Sequence, residues 1–160
     1  MWLVDNRLSL HVGKTECLLF GSGGKLKRVG EFRVTCDGLP VQRDYNVKYL
    51  GVLLDEKFNG STHVGTLLKT CSARLAFLFR NSSLLDFQCR KTLCSALIQP
   101  HVDYCSSSWY SCLLAALRSC LDVLQRKMAR FVFGYDNRRH IGMKEFHSLL
   151  WLSVPDTAIG

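Results

Sequence analysis

The chain lacks the residue pairs that commonly hold metal ions in proteins. It contains eight cysteines and five histidines, but no C-x2-C pair and no H-x3-5-H pair, and no two aspartates are adjacent. A structural zinc site needs four such ligands at suitable spacing, so we expect no zinc site. The cysteines are then expected to be reduced thiols, and Cys71, Cys94 and Cys120 fall on apolar helical faces, where a thiol packs as a small hydrophobe.

Long apolar runs are also missing. Met1 to Leu10 include Asp5, Asn6 and Arg7, so we expect no secretory leader. No uninterrupted apolar run has the length of a membrane span. With reduced cysteines, this predicts an intracellular protein, cytoplasmic or nuclear, without a membrane partner.

Acidic residues are scarce relative to basic ones, and the imbalance is uneven along the chain. The 21 Lys and Arg residues exceed the 13 Asp and Glu residues and give a net charge of +8. Residues 1–60 carry a net charge of +2, from nine basic and seven acidic side chains, and residues 61–160 carry +6, from twelve and six. Such an excess favours polyanionic partners, and phosphate contacts are expected in the second half.

The first half has the pattern of short strands. We predict strands over Thr15 to Phe20, over Phe32 to Cys36, and over Leu39 to Gln42, with Asp37-Gly38 as a hairpin turn between the last two. Val47 to Leu54 is almost continuously apolar, which predicts one strand covered on both faces.

The second half has helical periodicity. A first helix is predicted to follow Asn59-Gly60, capped by Ser61 or Thr62, and Asp86 is predicted to cap a second that stops at Pro100. The longest helix is predicted from about Leu113 to Phe133, and a last short one near Met143 to Trp151. The predicted fold class is α+β, a small antiparallel β-sheet followed by a helical bundle.

Several blocks, in order, resemble one protein family. Trp2, Asn6-x-Leu8-x-Leu10, Lys14-Thr15-Glu16 and Phe20 resemble the block after the catalytic aspartates of LINE-type (non-LTR) retrotransposon reverse transcriptases. Val47 to Val52 with Leu54-Asp55 resembles the primer-grip block of that family. The resemblance continues in segments similar to its thumb: Leu97-Ile98-x-Pro100, Asp103-Tyr104, Trp109 and Leu121 to Arg130.

The resemblance implies a palm remnant over residues 1–58, with a primer-grip-like strand, and a helical thumb-like region over residues 59–160. Enzymes of this family copy RNA into DNA with two metal ions held by palm aspartates, often an adjacent Asp-Asp pair. No such pair exists here, and the metal-binding strands are expected upstream of Met1. We therefore expect neither a bound cofactor, although the parent enzyme would use magnesium, nor a small-molecule substrate, nor polymerase activity from the chain alone.

The resemblance also marks candidate nucleic-acid contacts. Lys14 matches a lysine near the departing pyrophosphate, although it is also typical of a solvated loop before a strand. Lys48, Tyr49, Leu50 and Gly51 match the element that positions a primer end, and Gly51 either permits close backbone approach or forms a bulge.

Basic residues of the predicted helices have two interpretations. Arg90 and Lys91, in a predicted first helical turn, mark either a phosphate site or tolerated surface charge. A basic stretch on the thumb-like region either follows a template–primer backbone or forms a solvated face; it consists of Arg118, Arg126, Lys127, Arg130, Arg138 and Arg139. The expected partner is RNA or an RNA–DNA duplex, bound weakly and in a salt-dependent way.

Two tryptophans and a His-Asp-Cys set also have side chains that can bind bases or act in catalysis, but we favour other roles for them. Trp109 and Trp151 can stack bases, but we expect them in the core. His101-x-Asp103 with Cys105 combines a base and a nucleophile, but it follows a helix-breaking proline and has no orienting group.

Two alternatives remain open. In the first alternative, the chain is a transposon relic with no selected function, whose unpaired strand edges promote aggregation. In the second, it is one part of an enzyme that is completed by a separate fragment supplying the aspartates.

Overall fold

The computed structural model describes residues 5–30, 32–36, 38–136 and 138–149. Short strands precede helices, and the fold class is α+β as predicted. The chain divides into two compact units, residues 1–58 and 59–160.

Among its described residues, the first unit contains three separate two-stranded sheets and the short helix α1 (Gly23–Arg28). Strands β1 (Cys17–Leu18) and β4 (Arg43–Asp44) pair in parallel, whereas β2 (Val34–Cys36) with β3 (Leu39–Val41), and β5 (Asn46–Tyr49) with β6 (Val52–Asp55), pair antiparallel. Two of the three sheets are antiparallel as expected, and the pairing of β1 with β4 adds a parallel ladder.

The predicted β2–β3 hairpin is confirmed, with Cys36 opposite Leu39. The first predicted strand is shorter than expected, since only Cys17–Leu18 forms a ladder. Among the described residues of the first unit, Leu26 and Val52 are the only buried apolar side chains. The first unit therefore has a small core.

The second unit consists of helices. They are α2 (Ser61–Arg80), α3 (Phe87–Leu97), α4 (Gln99–Asp103), α5 (Ser106–Trp109), α6 (Ala115–Phe133) and α7 (Met143–Leu149), with short 3-10 turns at Ser82–Leu84 and Tyr110–Cys112. Helix α2, with 20 residues, is one residue longer than α6, which was predicted to be the longest. Trp151 lies outside the described residues.

The helical core follows the predicted apolar stripes. Both α2 and α3 pack against α6, and this core buries five residues of α2 (Val64, Leu67, Cys71, Leu75, Leu78) and five large apolar residues of α6 (Leu121, Leu124, Met128, Phe131, Val132). Trp109 is 4% exposed, which confirms its placement in the core.

Two predicted core positions are wrong. Leu97, which the apolar spacing of the second predicted helix places inward with Cys94 and Ile98, is 41% exposed at the end of helix α3, and Cys120 is exposed. All eight cysteines are free, and burial raises the pKa of Cys71 to about 11 and that of Cys94 to about 12, so both remain protonated at neutral pH.

The residues at the helix starts determine where three of the helices begin. Asp86 caps α3 as predicted, because its side chain accepts a hydrogen bond of 2.7 Å from the Cys89 backbone N–H. The predicted cap of helix α2 at Ser61 or Thr62 is wrong, because the helix already begins at Ser61, after Gly60 with a φ of 69°. Asn59 Oδ1 accepts the Ser61 N–H. Pro100 lies in the first turn of α4, where proline costs no helical hydrogen bond.

Candidate nucleic-acid interface

The strand predicted over Val47 to Leu54 is a hairpin, which corrects the expectation of one covered strand. Tyr49 pairs with Val52 across the turn, and the two turn residues, Leu50 and Gly51, both have positive φ, 45° and 89°. Positive φ at both central positions is the feature of the two-residue hairpin turn that favours Asn-Gly. The turn was missed because leucine is not a residue typical of that position.

The hairpin presents its tip to solvent. Tyr49 is 63% exposed and Leu50 is 74% exposed, and Lys48 is exposed beside them. A cation, an aromatic ring and an apolar side chain are therefore exposed at three consecutive positions leading into the turn. Such side chains can contact a phosphate, a base or a sugar.

The base of this hairpin uses the chain's carboxylate doublet. Asp55 is 7% exposed, and its Oδ1 accepts the backbone N–H of Lys57 at 3.1 Å. Glu56 pairs with Arg43 at 3.5 Å, and the Arg43 guanidinium lies 5.1 Å from the Tyr45 ring centroid. These contacts orient the start and end of the hairpin.

A basic face lies on helix α6, and we define it as Arg126, Lys127 and Arg130. Arg126 and Lys127 are exposed and Arg130 is half-buried. Residues four apart lie on one side of a helix, so Arg126 and Arg130 are neighbours. Arg130 Nε donates a 2.9 Å hydrogen bond to the backbone carbonyl of Arg139, which fixes the direction of its guanidinium.

Residues after α6 extend this positive region. The Arg139 guanidinium lies 3.9 Å from the ring centroid of Tyr135, and the Tyr135 ring stacks on Phe133 at 5.2 Å. Arg138 is exposed. Cations and aromatic rings thus alternate at the end of α6, as in surfaces that contact nucleic acids.

Two predicted phosphate ligands are engaged within the protein. Arg90 Nη2 donates to the Ser82 carbonyl at 2.7 Å, and its guanidinium lies 5.9 Å from the Phe131 ring centroid. Arg118 Nη2 donates to the Ser111 carbonyl at 3.0 Å, and its guanidinium lies 5.1 Å from the Tyr110 ring centroid. These contacts favour structural roles for both arginines.

Helix α3 presents its first N–H groups to Asp86, not to an external anion. Arg90 is the fourth residue of that helix and Lys91 the fifth, so neither lies as close to the helix start as predicted. The hydrogen bond to the Cys89 amide lowers the pKa of Asp86, so the cap is negatively charged at neutral pH.

The remaining candidates are dispersed. Lys14 is exposed at the end of a 3-10 turn, Val12–Lys14, before β1.

The His101 and Asp103 side chains bind different partners. Arg74 donates to His101 Nε2 and to the Leu97 carbonyl, while Asp103 accepts from Gln99 at 2.9 Å. Burial raises the pKa of Asp103. His101 and Asp103 thus have separate partners and form no base–orienter pair.

A groove beside the basic face was not predicted from the sequence. It has a volume of about 340 Å³, and its lining combines four residues of α2 with two cations of α6: Ser72, Leu75, Ala76, Phe79, Lys127 and Arg130. Residues so far apart in sequence come together only through helix packing. Local sequence patterns therefore could not identify it.

The described residues contain no group of three or more His, Cys, Asp or Glu side chains able to hold a metal ion. No helix in the described ranges combines the length and hydrophobicity needed to cross a membrane. Comparisons with protein-family models, with curated proteins and with solved structures give no match.

Proposed function

We propose that this chain is the palm edge and thumb of a LINE-type reverse transcriptase and that it binds RNA or RNA–DNA duplexes inside the cell, in the cytoplasm or nucleus. The observation that carries the proposal is the basic face of helix α6. Arg126, Lys127 and Arg130 are positioned along one helix, and cations spaced along a helix can each neutralise a phosphate.

The exposed hairpin tip also supports the proposal. The residues that resemble a primer grip, Tyr49 to Gly51, lie at a turn where their side chains and backbone are exposed. In a covered strand they would be inaccessible to a nucleic acid. Gly51 lets the backbone at the tip approach a ligand closely.

Catalysis is not part of this proposal. A two-metal polymerase needs carboxylates that hold both cations near the attacking and leaving oxygens. The sequence contains no adjacent aspartates, and Asp55 and Glu56 contact the Lys57 amide and Arg43. We propose that the chain binds nucleic acid without extending a primer.

The test is a filter-binding titration of the whole chain with an RNA–DNA duplex at increasing salt. If three phosphate contacts form, the slope of log K against log salt is about −2.7, which lowers affinity about 40-fold between roughly 50 and 200 mM salt. Affinity that does not change over this range contradicts the proposal.

Matched variants identify the contact surface. Lys127→Ala removes one cation from the basic face, whereas Lys144→Ala removes one exposed cation from helix α7. Lys127→Ala is expected to make the slope shallower, about −1.8, which is the value for two phosphate contacts. Lys144→Ala is expected to leave the slope unchanged. Equal slopes for the two variants contradict the assignment of the face.

A second candidate is a transposon relic without selected activity. The observation that favours it is the small core of the first unit, where Leu26 and Val52 are the buried apolar side chains among the described residues. Two-stranded sheets leave strand edges open, which promotes aggregation. Soluble, cooperative folding of the isolated chain would contradict this candidate, and aggregation relieved by an upstream extension would support it.

A further inference from the structure

We infer that the groove between helices α2 and α6 holds one unpaired nucleotide of a single-stranded nucleic acid. Its base would lie against the apolar wall formed by α2, and its phosphate would contact Lys127 and Arg130. This inference rests on the proposed function in one respect, that the partner is a nucleic acid. It differs from duplex binding because the ligand enters a groove instead of lying on a face.

The wall formed by α2 is apolar and firmly held. Leu75 is 3% exposed, and the Phe79 ring packs edge to face on Phe131, with centroids 5.1 Å apart. Ala76 is exposed and lines the groove between them. A small side chain next to a fixed aromatic ring leaves room for a flat group, and every base has a flat π-face that stacks on aromatic rings.

The wall formed by α6 is cationic. Lys127 and Arg130 line it, and neither forms an ion pair with a carboxylate among the residues that the structure describes. The Arg130 side chain is held by its Nε hydrogen bond to the Arg139 carbonyl. This leaves the Nη groups of Arg130 to act as donors, and a guanidinium binds phosphate through paired N–H groups.

Size and charge together favour a nucleotide. The volume of about 340 Å³ is near the lower end of pockets that enclose small ligands, which span about 300 to 1,000 Å³. The bases of a duplex are stacked on each other, so they present no free face to the apolar wall. The basic residues continue from the groove to Arg126 and Arg139, as a phosphate backbone leading away from one bound base would require.

The experiment compares two exposed alanines on helices, Ala76 in the groove and Ala96 on α3. The whole chain, with Ala76→Leu or Ala96→Leu, is titrated with a labelled single-stranded oligothymidylate and with an RNA–DNA duplex of the same length. Ala76→Leu is expected to weaken single-strand binding about tenfold, the factor for losing one base contact. The affinity of Ala76→Leu for the duplex is expected to match that of the wild type. Ala96→Leu is expected to bind both the single strand and the duplex with wild-type affinity.

Several outcomes would overturn the inference. If Ala76→Leu and Ala96→Leu bind the single strand equally, or if duplex binding by Ala76→Leu falls in parallel, the groove does not hold a base. If an oligoglutamate of equal charge displaces the oligothymidylate as well as unlabelled oligothymidylate does, the groove recognises acidic chains. If duplex binding is absent while single-strand binding is present and is weakened by Ala76→Leu, the proposed function fails and the inference stands.

A second variant protects the test against misfolding. Thermal unfolding of each variant is measured first, and if Ala76→Leu is unfolded, Ser72→Leu takes its place. Ser72 is exposed and lines the same groove one turn earlier on α2, so a larger side chain there also narrows the space for a base. The same result is expected, and unchanged single-strand binding by a folded Ser72→Leu overturns the inference.

Discussion

Replacing Leu50 with asparagine changes the first turn residue of the β5–β6 hairpin, where φ is 45°. A left-handed backbone costs an ordinary L-residue about 1–2 kcal/mol, whereas asparagine adopts it readily. Leu50 is 74% exposed, so about a quarter of the 1.5–3 kcal/mol for burying a leucine is lost, roughly 0.5 kcal/mol. Leu50→Asn should therefore raise the free energy of unfolding by about 1 kcal/mol.

Urea unfolding of the variant and the wild type measures this change. Leu84→Asn is the control, because Leu84 is 84% exposed and is not among the residues with positive φ. It removes a similar apolar surface without relieving strain, so no gain in stability is expected. If Leu50→Asn is no more stable than Leu84→Asn, the reasoning about strain is refuted.

The same variant tests why a leucine is at this turn. Unfavourable local conformations often coincide with functional sites. If the Leu50 side chain contacts nucleic acid, Leu50→Asn weakens RNA–DNA binding severalfold even though it stabilises the fold. Binding equal to that of Leu84→Asn would show that the tip is not part of the interface.

Four further substitutions test the helical unit. Gly60→Ala should destabilise it by more than 1–2 kcal/mol, since φ is 69° and a Cβ would lie 2.7 Å from Leu113 Cδ2, whereas Gly65→Ala, in open space within α2, should stabilise it by about 1 kcal/mol in thermal unfolding. Leu114→Asp should add about 1 kcal/mol by supplying the side-chain cap that α6 lacks. The hydrogen bond to the Cys89 amide lowers the folded-state pKa of Asp86 from its usual 3.8. The stability that the charged cap contributes is therefore fully present above that usual pKa and is lost as the pH falls through the folded-state pKa. Asp86→Asn should abolish this part of the acid dependence of the melting temperature.

The helices were largely predictable because their signals are local. The apolar residues of α2 and α6 recur at helical spacing, and Asp86 precedes its helix as a capping residue, so periodicity and capping identified these elements. The β2–β3 hairpin was predictable for the same reason, since Asp37-Gly38 is a strong turn signal.

The second hairpin and the groove were not predictable from local signals. Leu50-Gly51 forms its turn although leucine is disfavoured there, so the strand pattern on either side appeared continuous. The groove joins Phe79 to Arg130, and the structural contacts of Arg90 and Arg118 depend on loops that pack against helix ends. Such contacts depend on tertiary packing, which periodicity does not specify.

The most direct test of the central claim is a lysine acetylation footprint of the whole chain with and without an RNA–DNA duplex, measured by mass spectrometry. Lys127 lies on the basic face of α6 and Lys144 lies on α7, and both are exposed. A lysine in contact with phosphates is shielded from the reagent, so the duplex should protect Lys127 at low salt, leave Lys144 reactive, and lose its protective effect as salt increases. Equal acetylation of Lys127 with and without a saturating duplex would contradict the account.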